Sequence, residues 1–151
     1  MTKVTAKEVK QLRQATGAGM MEVKKALEEA KGDGKKAREI LKKKGLEKLN
    51  KRAAKATGEG QVYSYIHAGG RVGAMVMVKC ETDFVARSQE FETLCKELAM
   101  QVASMNPKNV KELLKQDYIR DPKKKVGDLV KEAAAKLKEN VLVEKIVRLS
   151  L

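Results

Sequence analysis

Tryptophan is absent from this chain, and aromatic residues make up 3 % of it, as three Tyr and two Phe. A core must therefore be built from Val, Leu, Ile, Met and Ala, and apolar aromatic surface is scarce. There is one histidine, His67, and there are two cysteines, Cys80 and Cys95, with no partners at metal-ligand spacing. A protein-built zinc site is not expected, and any Ser-His or Cys-His arrangement would rest wholly on His67. The dinucleotide, P-loop, zincin and nucleophile-elbow motifs are all missing, and the glycine pairs are too short to cradle a phosphate. No apolar run approaches bilayer length, and the opening MTKVTAKEVKQL has no signal-peptide core, so a cytosolic protein is expected. In a reducing compartment both cysteines read as small hydrophobes. Composition thus points away from an enzyme and calls for no cofactor and no metal.

At 151 residues the chain can form one ordinary domain, or a small domain plus a mini-domain. Its formal net charge of +13 is unevenly spread. Residues 1–56 carry 17 Lys/Arg against 7 Asp/Glu, residues 57–106 carry 4 against 6, and residues 107–151 carry 12 against 7. A nucleic-acid binder gathers positive charge around its reading surface. Here the middle segment, where the strands fall, is the least basic. The basic ends suit RNA, a ribosome or an acidic protein, and charge alone does not separate these.

Three short helices open the chain. Thr5–Glu8 is a capping box, and Thr16-Gly17-Ala18-Gly19 breaks the first helix. The second helix carries Val23, Ala26 and Leu27 on one face, and Asp33 caps a third that runs to Gly45. Lys42, Lys43 and Lys44 would then complement that helix's C-terminal dipole. Residues 46–60, rich in Lys, Ala and Gly, read as a helical extension or linker. The expected division is therefore 1–45, 46–60 and 61–151. The last part opens with a hairpin turning at Gly69-Gly70. A long helix follows, with Phe91, Leu94, Cys95, Leu98 and Val102 on one stripe. After it come a short helix capped by Asn109, a last helix, and a closing strand from Val141. This is an α+β pattern, a three-stranded antiparallel sheet covered by helices. Val62, Ile66, Val76, Val78, Val141 and Val143 are expected on both sheet faces, with helices enough to cover one.

Between the hairpin and the long helix stands Thr82-Asp83-Phe84-Val85. A Phe beside a carboxylate in a connection, in a chain with only two Phe, suggests a side chain offered to a partner. The alternative is a core Phe with Asp83 capping the next helical turn. His67, at the hairpin tip, reads as an exposed loop residue or a protein contact.

Leu12-Arg13-Gln14-Ala15-Thr16-Gly17-Ala18-Gly19-Met20-Met21-Glu22-Val23-Lys24-Lys25-Ala26-Leu27 resembles the opening signature of elongation factor Ts, and Thr82-Asp83-Phe84-Val85-Ala86-Arg87 resembles that family's second signature. The resemblance covers essentially the whole chain. It implies an N-terminal three-helix, ubiquitin-associated-like domain, a linker helix and a core domain. It also implies a non-catalytic guanine-nucleotide exchange factor for the GTPase elongation factor Tu. Leu12, Arg13, Gly17, Gly19 and Met20 would contact the partner from the N-terminal domain. Thr82, Asp83, Phe84 and Val85 would intrude beside its nucleotide and disturb the magnesium ion and the phosphate loop. Tyr65 to Gly73, with His67, resembles the hairpin of the second core copy found in longer members. That second copy, a helical-hairpin insertion and a C-terminal module have no counterpart here, so a homodimer joined through the sheets is expected to supply the missing half. No membrane and no nucleic acid is required on this reading. A basic RNA- or ribosome-associated binding protein is the alternative, supported by net charge alone.

Overall fold

The computed structural model describes residues 4–151, and the chain separates into two compact units, Met1–Lys51 and Arg52–Leu151. The first unit is helical, with α1 (Ala6–Thr16), α2 (Met20–Glu29) and α3 (Gly34–Arg52). Thr5 Oγ1 accepts the Glu8 N–H while the Glu8 carboxylate accepts the Thr5 N–H, so two otherwise orphaned donors at the start of α1 are satisfied. Asp33 Oδ1 accepts the Lys35 and Lys36 N–H groups at the start of α3. Val9, Leu12, Val23, Ala26, Leu27, Ala37 and Leu41 form the core, a small aliphatic cluster.

The third helix does not stop at Gly45. One interior glycine costs about 1 kcal/mol against alanine, and the surrounding Leu, Lys and Glu are strong helix formers. Lys42, Lys43 and Lys44 therefore lie mid-helix on an exposed surface, not at a helix end.

The second unit is α+β. Strands β1 (Glu59–His67), β2 (Val72–Cys80) and β5 (Leu142–Ser150) form an antiparallel sheet in the order β1-β2-β5. A short 3-10 turn over Ala68–Gly70 closes the β1–β2 hairpin. Gly60 has φ 153°, and a Cβ there would sit 2.1 Å from the Val78 carbonyl oxygen, so only glycine lets β1 approach β2 at this point. Between the strands come α4 (Asp83–Ala86), α5 (Gln89–Met105), α6 (Val110–Lys115), a two-stranded ribbon of β3 (Asp117–Tyr118) and β4 (Asp121–Lys125), and α7 (Val126–Leu137). Ser88 caps α5 and Asn109 caps α6 through their side-chain oxygens.

The α5 stripe of Phe91, Leu94, Cys95, Leu98 and Val102 is buried with Ala74, Val76, Val78 and Cys80 of β2. Burial pushes the Cys80 thiol up to about 11 and the Cys95 thiol up to about 12, so both behave as inert apolar groups. The ribbon was invisible to periodicity. It is pinned by the buried Gln101, whose Nε2 donates to the Asp117 carbonyl while its Oε1 accepts the Ile119 N–H.

The sheet carries apolar side chains on both faces, and one face is covered. Val76, Val78, Val141 and Val143 are all buried, whereas Val62, Ile66, Met75, Val147 and Leu149 are exposed. A register shift opposite Met77 and Val78 leaves Glu144 as an extra residue in β5, which reverses the in–out alternation there. Val143 consequently points inward although Val147 and Leu149 point outward.

Candidate functional site

The break between α1 and α2 is made by near neighbours. Gly17 takes the left-handed conformation, φ 68°, that glycine adopts without penalty, and its N–H donates to the Arg13 carbonyl. Thr16 Oγ1 donates to the Leu12 carbonyl, and the Glu22 carboxylate accepts the Gly19 N–H. The turn leaves Arg13, Met20 and Met21 exposed, the two methionines at 58 % and 63 %. Leu12 is different: at 6 % exposure it belongs to the helical core, so it shapes this surface from beneath and offers no side chain to a partner. Met21, which the residue-level reading did not single out, is as accessible as Met20.

In the second unit, Thr82 to Val85 leave the end of β2 and form the single turn of α4. Thr82 is the N-cap, with its Oγ1 accepting the Val85 N–H at 3.3 Å. Asp83 is thus not the cap. It is the first helical residue, and its exposed carboxylate pairs with Arg87 at 3.2 Å, an interaction worth little in water. Val85 and Ala86 are buried, so the back of the turn is anchored. Phe84 is 82 % exposed. The chain's other phenylalanine, Phe91, is fully buried seven residues later.

The backbone around Phe84 is held by residues outside the turn, most of them distant in the chain. Gln61 Nε2 donates to the Ala86 carbonyl at 2.6 Å, and Cys80 Sγ donates to the Thr82 carbonyl. Glu139, in the connection between α7 and β5, accepts the Glu81 and Thr82 N–H groups and the Thr82 hydroxyl. In return Glu81 accepts the Asn140 N–H at 2.6 Å and takes a two-point contact from the Arg52 guanidinium. That guanidinium, followed by the Asn140 N–H, holds the Glu81 carboxyl down to about 2. Residue-level reasoning missed Arg52, Glu81, Glu139 and Asn140. The only signal available was a polar Glu-Asn pair set between Leu137 and Val141.

His67 ends β1, is exposed, and lies 2.9 Å by Nδ1 from the Tyr65 hydroxyl. Among the described residues, no group of three or more His, Cys, Asp or Glu side chains could hold a metal ion, and no helix is long and apolar enough to cross a membrane. The arrangement offers a rigid backbone with an unsupported apolar ring at its apex.

Comparison with known proteins gives a consistent result. A family model described as Elongation factor TS matches residues 2–112 and 81–151, so that residues 81–112 are matched twice. A protein named Elongation factor Ts from Thermoanaerobacter sp. (strain X514) is 40 % identical over 190 residues, covering 96 % of this chain and 93 % of its own length. One of the same name from Anaeromyxobacter dehalogenans (strain 2CP-1 / ATCC BAA-258) is 38 % identical over 196 residues, covering all of this chain and 90 % of itself. The first alignment spans 190 positions against a chain of 151 residues, so at least 39 positions of that relative have no counterpart here.

Proposed function

Because the chain belongs to the elongation factor Ts family, we propose that it is a non-catalytic guanine-nucleotide exchange factor that binds elongation factor Tu·GDP in the cytosol and promotes GDP release. The observation that carries this reading is the exposure of Phe84 on a turn whose backbone is tied down. An apolar ring held out in water stabilises the free protein very little, so its placement is accounted for by a partner that buries it. On this reading Phe84, with Asp83, enters beside the nucleotide and disturbs the magnesium ion and the phosphate loop. The physics is linkage: a factor that binds the nucleotide-free GTPase more tightly weakens nucleotide by the same ratio. Arg13, Met20 and Met21 around the α1–α2 break supply the grip on the partner, and His67 adds a peripheral contact.

The outer sheet face favours a homodimer. Val62 pairs with Met77 across the ladder, Met75 lies between Ser64 and Val147, and Ile66 lies over Gly73, which pairs with Leu149. These side chains make a contiguous apolar face that a second copy would cover. A dimer of about 33 kDa, twice the 16.7 kDa chain, burying roughly 1,000 Å² or more is expected, and light scattering at micromolar concentration checks it.

The deciding experiment is release of fluorescent GDP from elongation factor Tu by the parent protein and by Phe84→Ala. Burial of a Phe is worth ~2 kcal/mol, so release should slow roughly thirtyfold while the melting midpoint stays unchanged. Normal release by Phe84→Ala, or salt-sensitive binding to ribosomal RNA with no effect on the GTPase, would overturn the proposal.

A further inference from the structure

We infer that Glu139 is the positioning residue of the 82–85 turn: from the α7–β5 connection it fixes the direction in which Phe84 leaves the surface. The inference rests on the reading of that turn as the element that acts on the GTPase.

The geometry is a reciprocal clasp. Glu139 Oε2 accepts the Glu81 N–H at 3.0 Å and the Thr82 N–H at 3.1 Å, and its Oε1 accepts the Thr82 hydroxyl at 2.6 Å. The Glu81 carboxylate reaches the other way, accepting the Asn140 N–H at 2.6 Å. Asn140 Nδ2 then donates to the Ala53 and Lys55 carbonyls. Two strand-end connections more than fifty residues apart therefore each hold the other's backbone through a side chain.

Glu139 is only 9 % exposed, yet among the described residues no Lys or Arg nitrogen lies within salt-bridge distance of it. Burying a carboxylate without a cation in direct contact is costly, and the cost is offset here by three directed donors, with the Arg52 guanidinium acting on it from further off. A residue needed only to fill space would be apolar. The chemistry selected instead is one that specifies direction.

The Thr82 hydroxyl transmits that direction. It gives its proton to Glu139 Oε1, which leaves a lone pair aimed at the Val85 N–H as the cap of α4. A helix of four residues has no stability of its own, so the cap at its start, with the burial of Val85 and Ala86 and the Gln61 bond at its end, sets the orientation of Phe84 within it. Replacing Glu139 by glutamine keeps the shape and one acceptor oxygen. It sets an NH2 group against the Thr82 hydroxyl, which must then accept where it previously donated and so competes with the cap.

The test uses the full chain and elongation factor Tu loaded with fluorescent GDP. Parent, Glu139→Gln, Thr82→Val, the double variant and Phe84→Ala are each titrated, with a circular-dichroism melt of every protein. Glu139→Gln should lower the maximal release rate about tenfold, the factor for one charge-assisted hydrogen bond, with a half-saturating concentration within about twofold of the parent. Thr82→Val should behave alike, and the double variant should be no slower than Thr82→Val alone, since both changes cut one relay. Should Glu139→Gln fail to fold, the same split between maximal rate and half-saturation in Thr82→Val carries the test. A rate that falls only in proportion to the folded fraction makes Glu139 merely structural and overturns the inference. A parental rate in both Glu139→Gln and Thr82→Val, with Phe84→Ala slow, overturns the positioning role alone. A parental rate in Phe84→Ala removes the reading of the turn and this inference with it.

Discussion

The Gly17–Gly19 break and the Thr82–Val85 turn both leave apolar side chains in water, Met20 and Met21 in one case and Phe84 in the other. Their supports differ in reach. The backbone of the first is set by bonds between residues at most four apart, from Arg13 to Gly17 and from Gly19 to Glu22, and a longer reach, from Lys48 of α3 to the Glu22 carboxylate, stays within the same helical unit. The second is held by Gln61 from 25 residues before Ala86 and by Glu139 from 57 residues after Thr82. A turn whose backbone closes on near neighbours needs only the helical unit that contains it. A turn clasped from afar exists only once the sheet and the C-terminal connection are in place, so its precision and its vulnerability have the same origin.

The strongest way to break this comparison is through the core of the second unit. Phe91→Ala should destabilise residues 52–151 by about 3–5 kcal/mol, because the ring is fully buried. Amide exchange should then rise across 81–86 while protection of Val23, bonded to the Gly19 carbonyl, persists. Equal loss of protection at both turns would show that the local turn is not independent.

Acid offers a second lever. The folded Glu81 carboxyl sits near 2 against an ordinary value of 4.5, so its contribution is present above the unfolded value and is lost as pH falls through the folded one. Parent and Glu81→Gln should therefore differ in urea midpoint at neutral pH, and the gap should narrow below about 4.5 and vanish near 2. A gap independent of pH over that window would remove the Arg52–Glu81 pair from the account.

Gly17→Ala tests the local turn. Placing a Cβ at φ 68° should cost about 1–2 kcal/mol and lower the stability of the helical unit, with the 81–86 amides unaffected. The smallest effect is expected from His67→Ala. The side chain is exposed and, among the described residues, bonded to Tyr65 alone, so stability should change by less than about 0.5 kcal/mol. GDP release should slow by less than about fivefold, as for a peripheral contact. A full titration overlaying the parent's would remove His67 from the interface.

Reading residues in order recovered what short spacings control: the Thr5–Glu8 box, the Asp33 and Asn109 caps, the β1–β2 hairpin and the Phe91–Val102 stripe. It placed a boundary at Gly45, with residues 46–60 as a helical extension or linker, whereas the flanking helix formers carry α3 through that glycine to Arg52 without a break. It offered Asp83, as an alternative role, for capping the next helical turn, whereas Thr82 is the cap of α4 and its hydroxyl is also held by Glu139. It placed Leu12 among the contacts because the motif contains it, whereas helical periodicity turns that side chain inward with Val9. The β3–β4 ribbon and the extra residue at Glu144 left no mark on hydrophobic periodicity, since both follow from pairings made elsewhere in the chain.

The sequence by itself determined the family, the α+β class, the helix starts and the presence of one phenylalanine outside any apolar stripe, because each depends on side chains within a few residues of one another. Only the tertiary structure decided which strand faces are bare, which residue caps α4, and how Glu81 and Glu139 clasp the turn that carries Phe84. Those outcomes are set by hydrogen bonds and burial between segments 25 to 59 residues apart, and no local preference encodes them.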